Sequence, residues 1–381
     1  GKGNSTFVDS VIIDKEYGSL EDRNFRIVHN EQVLHPFQPY DRMCTANQIK
    51  FFENVFEWDS DINSLDQVWK WKEFFTLISF ICSFLLIVPL SRLLLQSSFF
   101  SCLAKDVPKL IEKPKGDAKF IYWGLILISG LIACLTYIPM AELSKLIFLK
   151  SSSRLQTWFF PQRMNNAVML WALVNGLAGI ALFYLCTRHL KNKKDIRIDF
   201  NSIKISKTDF FKTFLLSIII FCFYYIILFF IYFLFHVDYR FLFLGVRVFR
   251  PEILFLLLMY SPFFITFFLS NSLRVNVLMR FKNESYLKRV LFGGLTTTMG
   301  LLMIILLQYT VFMFSGTVYW NTSNHWLYVN LLFGVIPMIF ILPAFNMSFF
   351  SLTGKVYLGP ITTCIIFIMI LLSNTVCYIP I

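Results

Sequence analysis

The side chains able to do chemistry in this 381-residue chain are few and scattered. Its five histidines stand at 29, 35, 189, 236 and 325, with no H-E-x-x-H or comparable ligand spacing, so a metal centre has no support. The eight cysteines, at 44, 82, 102, 134, 186, 222, 364 and 377, form no C-x-x-C pair. Most fall inside apolar runs, where a cysteine acts as a small packing residue. No cofactor motif is present, and no G-x-S-x-G, the turn that presents a serine nucleophile, occurs anywhere. His35 precedes Pro36 in a loop; by residue type alone it is a structural or solvent-exposed histidine, with proton transfer as the alternative. Ionisable groups at the edges of apolar runs are His236, Asp238, Arg240, Arg250 and Glu252, and amides within such runs are Asn175, Gln308 and Asn330. Charges there cap and anchor helix ends and amides bond between helices, although an ion pathway would use the same groups.

These residues sit in a chain that is 56% hydrophobic and 15% charged, with a mean hydropathy of +0.62. A soluble domain is typically about 45–50% apolar and about 25% charged. The composition excludes one large soluble globule, a disordered chain and a disulfide-stapled module, and indicates a polytopic membrane protein. The net charge of +12 comes from loops between apolar segments, so anionic lipid headgroups are the expected partner and nucleic acid is not.

Eight apolar runs are long enough to cross a bilayer core of ~30 Å: Phe74–Ser91, Phe120–Met140, Ala167–Cys186, Phe214–Phe235, Ile253–Leu269, Val290–Phe314, Trp326–Phe345 and Val356–Cys377. Lipid cannot satisfy an open backbone, and the runs lack strand alternation, so helices are predicted. Ser261-Pro262 is expected to kink the fifth. With the N-terminal segment on one side, the opposite side receives 20 Lys/Arg, Arg274 among them, against 9 on its own from Lys70 onward. The bias places the basic side in the cytoplasm and both termini outside it, in the cell membrane. Trp58, Trp69, Trp71, Trp158, Trp320 and Trp326 lie on the predicted outer side as interface anchors. Gly293-Gly294, Gly300, Gly334 with Pro337, and Pro343 suit close helix packing, or a path through the bundle. The basic loop Arg188–Lys212 is a topology determinant, or a docking surface for lipid or a cytosolic partner.

Ahead of the spans, Val8–Asp14 and Phe25–Val28 read as short strands. A His-bearing loop follows, then an amphipathic helix from about Asp41 to Phe56 with Ile49, Phe52 and Phe56 on one face. About 60 residues cannot bury an independent core of this type. The run YGSLEDRNFRIVHNEQVLHPFQPYDR (17–42), then IKFFENVF (49–56), resembles the end of bacterial membrane-associated α/β-hydrolases, serine hydrolases akin to dienelactone hydrolases and esterases. DQVWKWKEFFTLISF (66–80) and WFFPQRMNNAVMLWALVNG (158–176) resemble the start and third span of that family's membrane region. The resemblance implies a mainly α, polytopic helical bundle of about eight spans, preceded by a short C-terminal remnant of an α/β-hydrolase domain. Residues 1–60 would be the remnant, 61–73 an aromatic juxtamembrane linker and 74–381 the membrane domain. It implies an ester or acyl substrate outside the cytoplasm and His35 as general base of a Ser-His-acid triad. The nucleophile and acid would come from an upstream hydrolase domain of the same polypeptide, with Gly1 a fragment boundary or processed end; His29 competes with His35, and Asp9, Asp14 and Glu21 are the nearby carboxylates. A transporter or facilitator, or a non-catalytic docking platform, is the alternative.

Overall fold

A computed structural model describes residues 10–191, 200–242, 244–248, 251–322 and 324–380, with 35, 36, 190, 191 and 246 described by backbone alone. The chain divides into two units, Gly1–Phe75 and Thr76–Ile381.

In the first unit β1 (Glu16–Tyr17) pairs antiparallel with β2 (Arg26–Ile27). The expected strand Val8–Asp14 is not formed in its described part: residues 10–14 are irregular, and Asp14 turns at φ 61°. A 3-10 helix, His35–Tyr40, leads to α1 (Arg42–Phe56). Asp41 caps α1 by accepting from the backbone N–H of Met43 at 2.9 Å and Cys44 at 3.0 Å, satisfying donors that the first turn leaves free. On the α1 face named above, Phe52 is 51% and Phe56 70% exposed.

Next come α2 (Trp69–Leu95), α3 (Asp117–Ile147), the single turn α4 (Leu149–Ser152), α5 (Arg163–Lys191) and α6 (Lys207–Phe235). A hairpin of β3 (Tyr239–Phe241) and β4 (Leu244–Val246) leads to α7 (Pro251–Leu273). The chain ends with α8 (Tyr286–Ser315), α9 (His325–Thr353) and α10 (Leu358–Ser373). Among the described residues, seven helices are long and apolar enough to cross a membrane: α2, α3, α5, α6, α7 with its extension, α8 and α9. At 1.5 Å per residue they run about 40–47 Å, longer than the hydrocarbon core, so they tilt or reach the headgroups.

The eighth expected span is a correction. Val356–Cys377 yields a helix of only 16 residues, α10, about 24 Å long. Leu358 to Leu372 are all buried, so α10 is enclosed by protein rather than lipid. It packs on α6, α7 and α9, and an apolar run with no polar face folds stably in such a place. Ser373 Oγ and Asn374 Nδ2 donate to the Gly245 carbonyl at 3.3 and 2.7 Å, tying its end to the hairpin. The residues beyond pair with the segment before α5: Thr157 N–H donates to Tyr378 O at 2.8 Å and Tyr378 N–H to Pro161 O at 3.1 Å.

The run 158–176 builds the polar support of this end. Gln162 Nε2 donates to Leu372 O at 2.9 Å, Asn165 Nδ2 to Leu371 O at 3.2 Å, and Tyr260 Oη to Asn166 Oδ1 at 2.6 Å. Those carbonyls lie in the last turn of α10, which cannot satisfy them itself.

Small residues set the helix spacing. The buried stripe of α3 is Ala118, Tyr122, Ile126, Gly130, Ala133, Tyr137, Ala141 and Ser144, one residue per helical turn. A Cβ on Gly300 of α8 would run into the Gly130 carbonyl, and one on Gly176 of α5 into the backbone of Phe267. On α8, Cβ atoms at Gly293 and Gly294 would meet Pro343 and the Phe340 carbonyl of α9. The interhelical amides behave as expected at two positions: Asn175 Nδ2 donates to Thr136 Oγ1 at 3.0 Å, and Asn330 Oδ1 accepts from Tyr309 at 2.6 Å.

Candidate functional site

Continuous with α7, one π-helical turn, Arg274–Leu278, carries the helix past its expected end at Leu269. The extra turns bring the polar run Ser270-Asn271-Ser272 and then Arg274 into the bundle. Arg274, counted from sequence as a loop residue, therefore lies inside the candidate span Pro251–Leu278. Such π-turns often mark functional sites because they break the regular register. Pro262 leaves α7 continuous, and Ser261 Oγ donates to Leu257 O at 2.6 Å beside it.

A cavity of about 70 Å³ lies between α3, α5, α7 and α8. Its polar lining comprises Tyr122, Ser129, Asn175, Ser270, Asn271, Arg274, Thr296 and Thr297, and Gly130 and Gly179 form part of its wall. A Cβ on Gly179 would displace Ser270 Oγ, so the glycine leaves room for that hydroxyl between α5 and α7.

Arg274 Nη2 donates to Thr297 Oγ1 at 2.6 Å and Nη1 to Thr296 O at 3.3 Å. Asn271 Nδ2 also donates to Thr297 Oγ1, at 2.9 Å, and Asn271 Oδ1 accepts from Asn346 at 2.9 Å. All of these acceptors are neutral. Among the described residues no carboxylate forms an ion pair with Arg274; the nearby Glu284 is engaged by Lys113 at 2.9 Å. Among the described residues, neither Arg274 Nε nor Tyr122 Oη, both buried, has a hydrogen-bond partner. A guanidinium does not shed its proton, and an unpaired buried charge costs several kcal/mol. The arrangement can attract and hold negative charge inside the bundle.

The end of the bundle nearest Arg274 is closed by loops of basic character. Ile111 N–H donates to Arg280 O, and Lys282 N–H to Ile111 O, both at 2.9 Å. Arg280 Nη2 donates to Pro108 O at 2.9 Å, and Lys355 Nζ to Lys204 O at 2.8 Å. Burial lowers the Arg280 guanidinium pKa to about 10, which leaves it charged at neutral pH. At the other end Glu142 of α3 accepts from both Lys145 and His325.

The histidine named as general base, His35, opens the 3-10 helix, and its side chain lies outside the described residues, as does Asp9. The structure instead joins His29 and Asp14: Nδ1 meets Oδ1 at 2.6 Å. Glu21 is exposed in the intervening turn. Of the charges expected at span edges, His236 is the left-handed C-cap of α6, with its N–H on Tyr232 O at 2.7 Å, and Glu252 sits in the first turn of α7. Arg250 and residues 192–199 of the basic loop lie outside the described residues. Sequence reasoning missed Arg274 and Tyr122. The polar cluster Ser270-Asn271-Ser272-Leu273-Arg274-Val275-Asn276 was the signal, since an apolar helix rarely ends on so many amides and hydroxyls without internal partners. Compared with models of known families, with curated proteins and with solved structures, the chain matches none.

Proposed function

We propose that the chain is a multi-pass protein of the cell membrane whose bundle holds a small polar ligand between α3, α5, α7 and α8, as a facilitator or binding module. The observation that carries this is the polar cavity around Arg274 within otherwise apolar helices; intramembrane ionisable groups mark substrate paths more often than they serve packing. From Lys70 onward the Lys/Arg bias, 19 against 9 once Arg274 is counted within its span, supports a cytoplasmic basic end with anionic headgroups against the lysines of the loops, and an extracytoplasmic N-terminal segment. The helix α10, although enclosed by protein, would return the C-terminus to that outer side, where Tyr378 bonds to Thr157 and Pro161. The test replaces the eight native cysteines by alanine and adds Ser270→Cys in the cavity wall. A small charged thiol reagent, supplied from the cytoplasmic side of inverted vesicles, is expected to label this cysteine, as it labels a loop control at Lys282→Cys. Labelling of the control with none at 270 overturns a ligand-accessible cavity.

One contact favours a second activity, that of an extracytoplasmic serine hydrolase on ester or acyl substrates. His29 carries a carboxylate on Nδ1, which would leave Nε2 to take a proton from a nucleophile. His29 with Asp14 is then the base pair, in place of the His35 implied by the resemblance. Exposed Ile12, Ile13, Phe52 and Phe56 support a covering hydrolase domain that would bring the serine. A fluorophosphonate probe on the native protein in its own membranes is expected to label a serine, with labelling lost in His29→Ala and kept in His35→Ala. Absence of labelling in the native protein, or the reverse pattern between the variants, rejects this assignment.

A further inference from the structure

We infer that the cavity seats a monovalent oxyanion, a carboxylate, against Arg274 and Tyr122; the inference rests on the binding-site function proposed above and names its ligand class. Three observations meet at one place. The first is charge. The side-chain hydrogen bonds of Arg274 go to a threonine hydroxyl and a backbone carbonyl, and among the described residues no acidic side chain pairs with it. One positive charge is left to be balanced inside the bundle. The second is hydrogen-bonding capacity. Arg274 Nε–H and Tyr122 Oη–H are buried donors without acceptors among the described residues, on two helices that line the same space. Tyr122 is 4% exposed, so bulk water does not serve its hydroxyl. Buried donors normally find a partner in protein, ordered water or a ligand, and these two belong to residues that line one cavity, leaving hydrogen-bonding capacity there for an acceptor.

The third observation is size. A single water needs about 10–15 Å³ of such space, and the cavity offers about 70 Å³. That holds a charged group of a few heavy atoms. An acyl chain would have to leave through a gap between the helices. One cation and two vacant donors match a carboxylate, which brings one negative charge and two acceptor oxygens. A phosphomonoester brings up to two charges against one guanidinium and is the poorer match. A phosphodiester matches in charge and is the competing oxyanion.

The test uses the full chain carrying Ser270→Cys in the cysteine-free background, reconstituted in phosphatidylcholine vesicles. The rate of thiol labelling at 270 is followed with added acetate, octanoate, dimethyl phosphate or inorganic phosphate, at ionic strength held constant with chloride. Acetate is expected to slow labelling at least tenfold at saturation. Arg274→Gln is expected to abolish that protection. Tyr122→Phe, which removes one hydroxyl and keeps the ring, is expected to raise the half-protecting acetate concentration about tenfold, the loss of one charge-assisted hydrogen bond; it keeps the proposal open to test if the arginine variant does not fold. Octanoate protecting tenfold more tightly than acetate assigns the carboxylate to an amphiphile, and equal protection assigns it to a soluble acid; either supports the inference. Labelling that no oxyanion slows overturns it while leaving the ligand-accessible cavity standing. Protection by dimethyl phosphate but not acetate overturns the carboxylate in favour of a phosphodiester head. No labelling at 270 at all is the separate failure of the cavity itself.

Discussion

The Asp41 carboxylate sets where α1 begins. The backbone amide of Cys44, followed by that of Met43, holds its pKa below the ordinary aspartate value of 3.8. A lowered carboxylate stabilises the folded form above the range where the unfolded residue titrates, and that contribution fades as pH falls through the lower folded value. Hydrogen exchange at the first amides of α1 is therefore expected to be steadily protected near neutral pH and to lose protection on the acid side of 3.8. Asp41→Ala removes the same protection at every pH; equal protection in the variant refutes the cap. This residue was legible in the sequence, because an aspartate just before a helical periodicity is a local signal. The His29–Asp14 pair was not, since its partners are 15 residues apart across a turn whose geometry no local pattern fixes. Arg274 was misplaced for a different reason. Its charge marks the end of an apolar run, and the turn that carries it inward follows from the packing of α7 against α5, not from hydropathy.

At the scale of elements, small-residue contacts decide how closely the helices approach. Lipid offers apolar side chains as good an environment as protein does, so association rests on fit. Gly300→Val drives a branched side chain into the Gly130 carbonyl and Ala133. It is expected to destabilise the bundle by about 1–3 kcal/mol, the usual cost of overpacking. Gly124→Ala, on the same helix as Gly130 but with no described atom within 4 Å of the added one, serves as the clash-free control and is expected to be as stable as the native protein or slightly more so. Thermal unfolding of the purified protein in detergent distinguishes them; equal midpoints would show that α3 and α8 do not meet as described. The seven long helices were legible because uninterrupted apolar length is a sufficient cause of a spanning helix. The eighth run misled because an apolar segment buried by protein and one buried by lipid have the same composition. Over the described part of Val8–Asp14, residues 10–14, no strand forms, because residue preference alone forms no ladder; the pairing falls at Glu16–Tyr17, where the chain turns back on Arg26–Ile27.

At the scale of the whole molecule, the sequence carried the broad class and the two-part composition, polar before apolar, in plain view. The cavity was hidden, since it depends on four helices that are distant in sequence and adjacent in space. The same is true of α10, whose place carries a consequence in time. A membrane chain is made from its N-terminus, at about 5–20 residues per second. More than 260 residues separate the end of α2 from the start of α10, so at that rate α2 is finished about 13 to 50 s before α10 exists. The helix that α6, α7 and α9 surround thus leaves the ribosome after all three of them. Until it arrives those three cannot adopt their final packing, and whatever fills its place, lipid or an insertion factor, must be displaced when α10 emerges.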